Sequence, residues 1–345
     1  MSGMTQRVLV TGGSGFVGAN CVLQALQAGY EVRTTIRTPA RAADVRSQLV
    51  AGGLEDAGGD RLTFAVADLT SDDGWAEAVA GCAFVLHVAS PFPATQPKDE
   101  NDLIVPARDG ALRVLRAARD AGVQRVVLTS SFAAIGYGHP PTDRPFTEDD
   151  WTDLDSGVPV SAYAKSKTLA ERAAWAFIQE EQGGGLELAT VNPVGILGPV
   201  LGHDYSSSVQ LIKAVRDARL PRLPNVSFGI VDVRDVAALH LLAMTRPEAA
   251  GQRFLAIAGD VMSAQEVALL IRGHLGEAGA RITTKTMPDG VLKALAPFSR
   301  AVRGSLPDLG AVRRASAAKA ERLLGWSPRS REEAILATVD SLPTG

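Results

Sequence analysis

A doubly wound parallel α/β sheet with a smaller C-terminal lobe is the fold class this sequence predicts, on three observations. Apolar runs of strand length alternate with segments of helical period up to about residue 192, which is the pattern of βαβ units. The first run lies in Arg7 to Gly18, RVLVTGGSGFVG, and ends in glycines three apart, Gly12, Gly15 and Gly18. Later runs such as FVLHVAS are apolar nearly throughout, as strands covered on both faces must be.

The first stretch reads as strand, tight turn and helix, with Val22 and Leu26 on one helix face and Gly29 at its end. Glycine serves such a turn by reaching backbone angles closed to other residues and by letting helix, strand and a phosphate approach the main chain. The helix N-terminus then offers free N–H groups to a pyrophosphate. The letters also read as Gly13-x-Gly15-x-x-Gly18. Either way the context, after a strand and opening a helix, is that of a Rossmann dinucleotide site rather than a glycine-rich hairpin.

EVRTTIR, residues 31 to 37, is the second strand, and the chain leaves it at Arg37. An NAD site would place Asp or Glu near this strand end, whereas arginine suits the 2′-phosphate of NADP. Arg37 therefore favours NADP, with Thr38, Arg33 and Arg41 as helpers; the competing reading is an ordinary surface arginine. Residues 52 to 60 are a glycine-rich loop, and RLTFAVADL is a third strand ending at Asp68 and Leu69. Ser71, Asp72 and Asp73 start a helix through Trp75 and Val79. FVLHVAS, residues 84 to 90, is the fourth strand; His87 inside it reads as a satisfied core histidine. SPFP breaks that strand at its carboxyl end, where open α/β sheets bind ligands. A helix from about Asp102 to Ala121 leads to Gly122 and the fifth strand, RVVLTSS, which ends at Ser130 and Ser131. Tyr163-Ala164-Lys165-Ser166-Lys167 opens a further helix through Leu169, Ala173 and Phe177. Tyr163 and Lys167, four apart, share one helix face.

After LELATVNPVG the regular alternation fails. Residues 198 to 225 are expected on the substrate side of a cleft, and 226 to 244 form a strand and helix that return to the main domain. GQRFLAIAG is another strand, Ser263-x-x-Glu266 is a capping box opening a helix to about Leu275, and RITTKTMP and AERLLGW complete the small lobe. The expected division is a dinucleotide domain over 5–192, joined by 226–250, and a substrate lobe from 193–225 and 251–345.

Composition narrows the function classes. A net charge of −3 argues against nucleic acid as a partner. Cys21 and Cys82 form no CxxC pair, and the five histidines show no HExxH spacing, so neither a disulfide framework nor a metal site is expected. No run approaches the ~18 apolar residues of a membrane span, and no secretory leader is apparent. A soluble cytoplasmic protein, monomer or homodimer, is the expectation.

Three features in this order, the glycine loop, the strand-end serine and Tyr-x-x-x-Lys, resemble the extended short-chain dehydrogenase/reductases. More narrowly, the chain resembles their dihydroflavonol reductase-like branch, which also holds cinnamoyl-CoA reductases and microbial aldehyde and ketone reductases. The matching elements are TGGSGFVG at 11 to 18, HVASPF at 87 to 92, LTSS at 128 to 131, YAKSKTLAE at 163 to 171, VNPVGILGP at 191 to 199 and VDVRDVA at 231 to 237. The resemblance implies an NADP-dependent oxidoreductase in which Ser131 is the catalytic serine, Tyr163 the proton donor and Lys167 its partner. It implies cofactor contacts at Thr11, Gly12, Gly15, Phe16, Val17, Gly18, Arg37, Asp68, Leu69, Val88, Ala89, Ser90, Tyr163, Lys167, Pro193 and Val194, with Pro193 against the nicotinamide. Reduction of a carbonyl creates an alkoxide that needs a proton donor; tyrosine, with a pKa of ~10, should be brought down by the Lys167 ammonium and the oxidised nicotinamide.

Departures bear on the substrate. Where plant flavonoid reductases carry an asparagine five residues after the serine, this chain has Gly136, and where cinnamoyl-CoA reductases show NWYxxGK it has SAYAKSK. A hydrophobic aldehyde or ketone is the expected substrate, with Phe92, Phe132, Ile135, Val194, Tyr205 and Phe228 as apolar lining or ordinary core. The alternatives are an NAD-dependent sugar-nucleotide epimerase or dehydratase, which would hold its cofactor tightly, and a non-catalytic NADP-binding redox sensor.

Overall fold

The structure, a computed structural model, describes residues 6–91, 99–180, 183–295 and 306–343. Its first half alternates as the apolar runs require: β1 (Arg7–Thr11), α1 (Phe16–Gln27), β2 (Glu31–Ile36), α2 (Arg41–Ala51), β3 (Leu62–Val66), α3 (Trp75–Val79), β4 (Phe84–His87), α4 (Asn101–Asp120), β5 (Arg125–Thr129), α5 (Ala162–Gln179) and β6 (Glu187–Pro193). Beyond it come β7 (Gly195–Leu197), α6 (Ser207–Arg216), β8 (Ser227–Phe228), β9 (Ile230–Asp232), α7 (Val233–Thr245), β10 (Arg253–Ala256) and α8 (Ala264–Leu275).

Seven strands form one parallel sheet in the order β10-β6-β5-β4-β1-β2-β3. The chain winds outward from β1 to β3 and then crosses to β4 on the other side of β1. This makes the carboxyl ends of β1 and β4 the topological switch point, where a crevice for ligands opens. In register there, Thr11 stands beside His87. Helices cover both faces: Val22 and Leu26 of α1 are buried against one, with α7, and Val114 and Leu115 of α4 and Phe177 of α5 against the other. The central strands bury Leu9, Val85 and Val126 completely, which is why these runs are apolar on both faces.

Strand ends fall earlier than their apolar letters suggest. β3 stops at Val66 because Asp68 accepts from both the N–H (2.8 Å) and the hydroxyl (2.6 Å) of Thr70, turning the chain. β4 stops at His87 because the N–H groups of Val88 and Ala89 donate to Thr11 Oγ1, at 3.0 and 2.9 Å, instead of to a neighbouring strand. β5 likewise ends at Thr129, leaving Ser130 and Ser131 beyond it.

Two placements differ from the sequence reading. GQRFLAIAG, expected in the smaller lobe, supplies β10, the edge strand beside β6 in the main sheet. The segment around AERLLGW, also expected in the lobe, packs on the main core: Ala320, Leu324 and Trp326 are buried with Val236 and Phe254, and the Trp326 indole donates to the Asp235 carbonyl at 2.9 Å. The smaller core is built from Leu197 in β7, Val209 and Ile212 in α6, Ile230 in β9, Val267 and Ile271 in α8, and Ile335 and Val339 in the helix Arg331–Ser341. The capping box at Ser263 and Glu266 opens α8 as its spacing predicts. Among the described residues no helix is long and apolar enough to cross a membrane.

Candidate active site

The turn after β1 shows why three of its residues are glycine. Gly12 has φ +70°, and its N–H donates to Thr35 Oγ1 at 3.0 Å. A Cβ on Gly18 would lie 2.1 Å from the Gly12 carbonyl oxygen, so α1 could not sit this close to β1 with any other residue there. Gly15 is different. It has φ −81°, and its Cβ would meet only the Gly12 oxygen, at 3.3 Å. No side chain caps α1. The N-terminal N–H groups of α1 are thus left without a side-chain cap, as donors that an anion such as a pyrophosphate could take.

Arg37, just past β2, is exposed, and among the described residues no hydrogen bond or ion pair holds its guanidinium. Past the end of the neighbouring strand β3 lies Asp68, whose carboxyl is held below the usual range by its hydrogen bonds with Thr70, burial opposing and the Arg37 charge adding a little. Leu69 is half-buried beside it. The helpers expected around Arg37 are otherwise engaged. Arg33 donates to the Glu77, Ala78 and Ala80 carbonyls at the end of α3, a helix C-terminus that a cation satisfies. Arg41 pairs with Asp44 and Asp204.

His87 is a core group, as its surroundings predict. Thr11 Oγ1 accepts the N–H groups of Val88 and Ala89, so its proton goes to His87 Nδ1 at 2.9 Å. Burial first, and then the Lys167 charge, push the imidazole down to about 3, which keeps it neutral. Ala89 closes on Gly12, Val88 is half-buried and Ser90 is exposed, at the mouth of the crevice.

Ser131, Tyr163 and Lys167 come together at the ends of β5 and α5. Ser131 caps the short turn Phe132–Ala134, its Oγ accepting from the Ala133 N–H at 3.1 Å. That leaves the hydroxyl proton for Tyr163, with which it is hydrogen-bonded. Ser161 starts α5, its Oγ accepting from Ala164 N–H at 3.2 Å, and so sets Tyr163 and Lys167 one turn apart. Burial raises the Tyr163 phenol, and the Ser131 hydrogen bond pulls it back. The sequence reading expects Lys167 to lower it; here burial is the larger effect and the phenol is raised. Lys167 is 9% exposed. Its ammonium has no hydrogen-bond or ion-pair partner among the described residues, and burial pulls it down to about 8 against the opposing pull of Glu171. A nearly buried ammonium of this kind is a donor that the hydroxyls of a ribose could accept from. β6 ends at Pro193 on the same edge of the sheet, and Val194 follows it.

The apolar lining is mixed. Ile135 is fully buried and Phe132 nearly so, packed with Phe146 and Leu255 in a cluster of their own. Ile135 is thus core, with no surface to offer a ligand. Tyr205 and Phe228 are half-buried at the margin of the smaller core, and Val194 touches both the main core and the Phe132 cluster. Phe92 lies outside the described residues.

One part of the site escaped the sequence reading. Glu171 is 1% exposed and accepts from Ser130, Thr190, Asn192, Trp175 and Arg253. Asn192 Nδ2 also donates to the Ser131 carbonyl at 3.2 Å. The signal was present in YAKSKTLAE, where Glu171 stands one turn beyond Lys167 on the same helix face.

A parallel sheet with a glycine turn at its switch point and a Ser-Tyr-Lys group on the same edge defines a dinucleotide-dependent α/β enzyme fold. The chain belongs to the NAD dependent epimerase/dehydratase family, whose model matches residues 8–258. It is similar to a cinnamoyl-CoA reductase of Medicago truncatula, 36% identical over 253 residues covering 72% of this chain and 75% of that one. It is similar also to a dihydroflavonol 4-reductase of Hordeum vulgare, 35% identical over 261 residues covering 73% and 71%. Among solved structures, the yeast methylglyoxal/isovaleraldehyde reductase complexed with NADPH superposes with a TM-score of 0.75 at 26% identity, covering 97% of this chain and 98% of that one.

Proposed function

We propose that this protein is an NADPH-dependent carbonyl reductase that acts on a hydrophobic aldehyde or ketone, with Tyr163 as the proton donor. The observation that carries the reading is the grouping of a hydrogen-bonded Ser131 and Tyr163 with a nearly buried Lys167, which has no hydrogen-bond or ion-pair partner among the described residues, on the sheet edge where the glycine turn opens. Relatives named as reductases, and a solved relative named as an NADPH complex, support it.

NADPH, when bound, supplies the hydride. The chain would hold it with the α1 N-terminus and Gly15 at the pyrophosphate, Arg37 at the 2′-phosphate, Lys167 at the ribose and Pro193 at the nicotinamide. Ser131 would turn its proton from Tyr163 to the carbonyl oxygen and hold it in place. Burial keeps the Tyr163 phenol protonated until negative charge develops on that oxygen, and then the proton moves to it. The Lys167 charge stabilises the phenolate left behind. Val194, Tyr205 and Phe228 would supply apolar walls, and residues 193–225 the substrate side of the cleft. An exposed Arg37, in place of an acid at the β2 end, favours this reading over an NAD-holding epimerase.

The test is NADPH consumption, followed by absorbance, against aromatic aldehydes, aryl ketones, keto esters and a dihydroflavonol, with NADH in parallel and Tyr163→Phe beside the wild type. Turnover with NADPH is expected, falling by about 10²–10⁴-fold in the variant while NADPH still binds. Bound NADPH without turnover across the panel, or an undiminished Tyr163→Phe, overturns it.

A further inference from the structure

We propose that Glu171 is a positioning residue for the site, its buried carboxylate fixing Ser131 through Asn192 and supporting the charge of Lys167 one helix turn away. The inference rests on the reading of Ser131, Tyr163 and Lys167 given above.

Glu171 holds its position from two directions. Arg253 of β10 donates Nε to Oε1 at 2.6 Å, and both side chains are nearly or fully buried, at 9% and 0% exposure. Arg253 is itself fixed by the Glu148 and Asp150 carbonyls, at 2.6 and 2.7 Å, and by the Trp151 ring 3.7 Å from its guanidinium carbon. The other carboxylate oxygen, Oε2, accepts from Ser130 Oγ and, at 2.7 Å, from Asn192 Nδ2. Asn192 in turn grips the Ser131 carbonyl. A chain of buried hydrogen bonds therefore runs from the edge strand β10 to the residue whose hydroxyl meets Tyr163.

The same carboxylate is the anion that Lys167 faces. The charged and titratable groups that act on the ammonium are Glu171 on its own helix and the neutral His87 on β4, with Arg253 of β10 beyond Glu171; Tyr163 lies one turn back on the same helix face. The packed face of α4 presents Ala107, Gly110 and Ala111 and no charge. Lys167, Glu171, Ser130 and His87 border a cavity of about 20 Å³, room for one water that can join ammonium to carboxylate. The buried Glu171–Arg253 ion pair contributes little net stability against an apolar substitute, so stability alone does not account for a carboxylate lying here. The Glu171 charge raises the Lys167 pKa against burial. Without it the ammonium loses its proton at lower pH, and the phenolate loses its support.

The test compares wild type, Glu171→Gln, Glu171→Asp and the double variant Glu171→Gln/Arg253→Gln, which removes both charges should the single neutral variant fail to fold. Each is assayed for NADPH binding and for kcat and KM from pH 6 to 9.5. The neutral variants are expected to bind NADPH and to have their alkaline loss of kcat moved to lower pH, so that the ratio of kcat at pH 9 to that at pH 7 falls about fivefold below the wild-type ratio for a one-unit fall in the Lys167 pKa. Glu171→Asp, which keeps the charge, should restore the wild-type alkaline limb. A uniform loss of kcat at every pH, or a change in KM alone, overturns the role. Wild type that binds NADPH but turns over no carbonyl removes the underlying reading; normal wild-type turnover with an unmoved limb in the variants removes the role of Glu171 alone.

Discussion

Replacing Lys167 with methionine should stabilise the fold while ending turnover. The ammonium is nearly buried, has no hydrogen-bonding partner among the described residues, and is pushed by burial from 10.5 down to about 8. Holding it charged at pH 7 opposes folding by about 3 kcal/mol. Methionine keeps most of the stem and removes the charge, while Glu171 retains Arg253. With an unfolding entropy of ~2.1 cal/mol/K per residue, the gain corresponds to a rise in Tm of about 4 °C. The sign gives a second check. Between pH 8 and 10.5 the unfolded chain keeps a proton that the folded chain has lost, so wild-type stability rises with pH through that window. The advantage of Lys167→Met should therefore close by pH 10.5. Urea denaturation of both proteins at pH 7 and pH 10 measures it. A variant no more stable than wild type at pH 7, or a gap that does not narrow at pH 10, refutes the reasoning.

Arg37→Ala should weaken NADPH by about 10- to 100-fold, the worth of charge-assisted hydrogen bonds of ~1.5–3 kcal/mol, and leave NADH nearly unchanged; equal weakening, read by fluorescence titration, would remove the arginine from the 2′-phosphate. Gly15→Ala should fold normally but lose cofactor affinity at least about tenfold, because its Cβ lies at the α1 N-terminus, whereas Gly18→Ala should lose about 1–3 kcal/mol of stability, its Cβ lying 2.1 Å from the Gly12 oxygen. Calorimetric titration and thermal melts separate the two, and an unaltered Kd for Gly15→Ala would contradict the first. His87 and His240 are held neutral by burial, lowered from 6.5 to about 3 and about 4. Below pH 6.5 the unfolded chain takes up protons the folded one refuses, so stability falls with pH, by about 1.4 kcal/mol for each histidine at pH 5.5. Denaturation at pH 7.5 and 5.5 should show it, and a flat profile would count against both.

The central strands and the glycine turn were legible because their causes are local. A strand buried on both faces must be apolar at every position, and Leu9, Val85 and Val126 are. The three-residue glycine spacing carries a close approach and a positive φ that other residues do not satisfy. Ser161 and the Tyr163–Lys167 spacing likewise set α5 and one face of it without help from distant residues.

Strand ends were less legible because apolar letters continue past the last ladder bond. β4 is ended by Thr11, from a strand whose register alongside His87 only the folded sheet establishes. Arg33 and Arg41 read as cofactor helpers until the carbonyls of α3 and the carboxylate of Asp204 came within reach of them. The strand within GQRFLAIAG was readable, but its membership in the main sheet depends on which edge remained open after β6, a nonlocal choice. The same holds for Glu171 and Arg253, 82 residues apart and joined only when β10 lies beside β6. Local propensity and periodicity, written within a few turns of chain, determined the elements and the candidate Ser-Tyr-Lys group. Tertiary structure decided which buried charges found partners, because desolvation and pairing depend on residues brought together from distant parts of the chain.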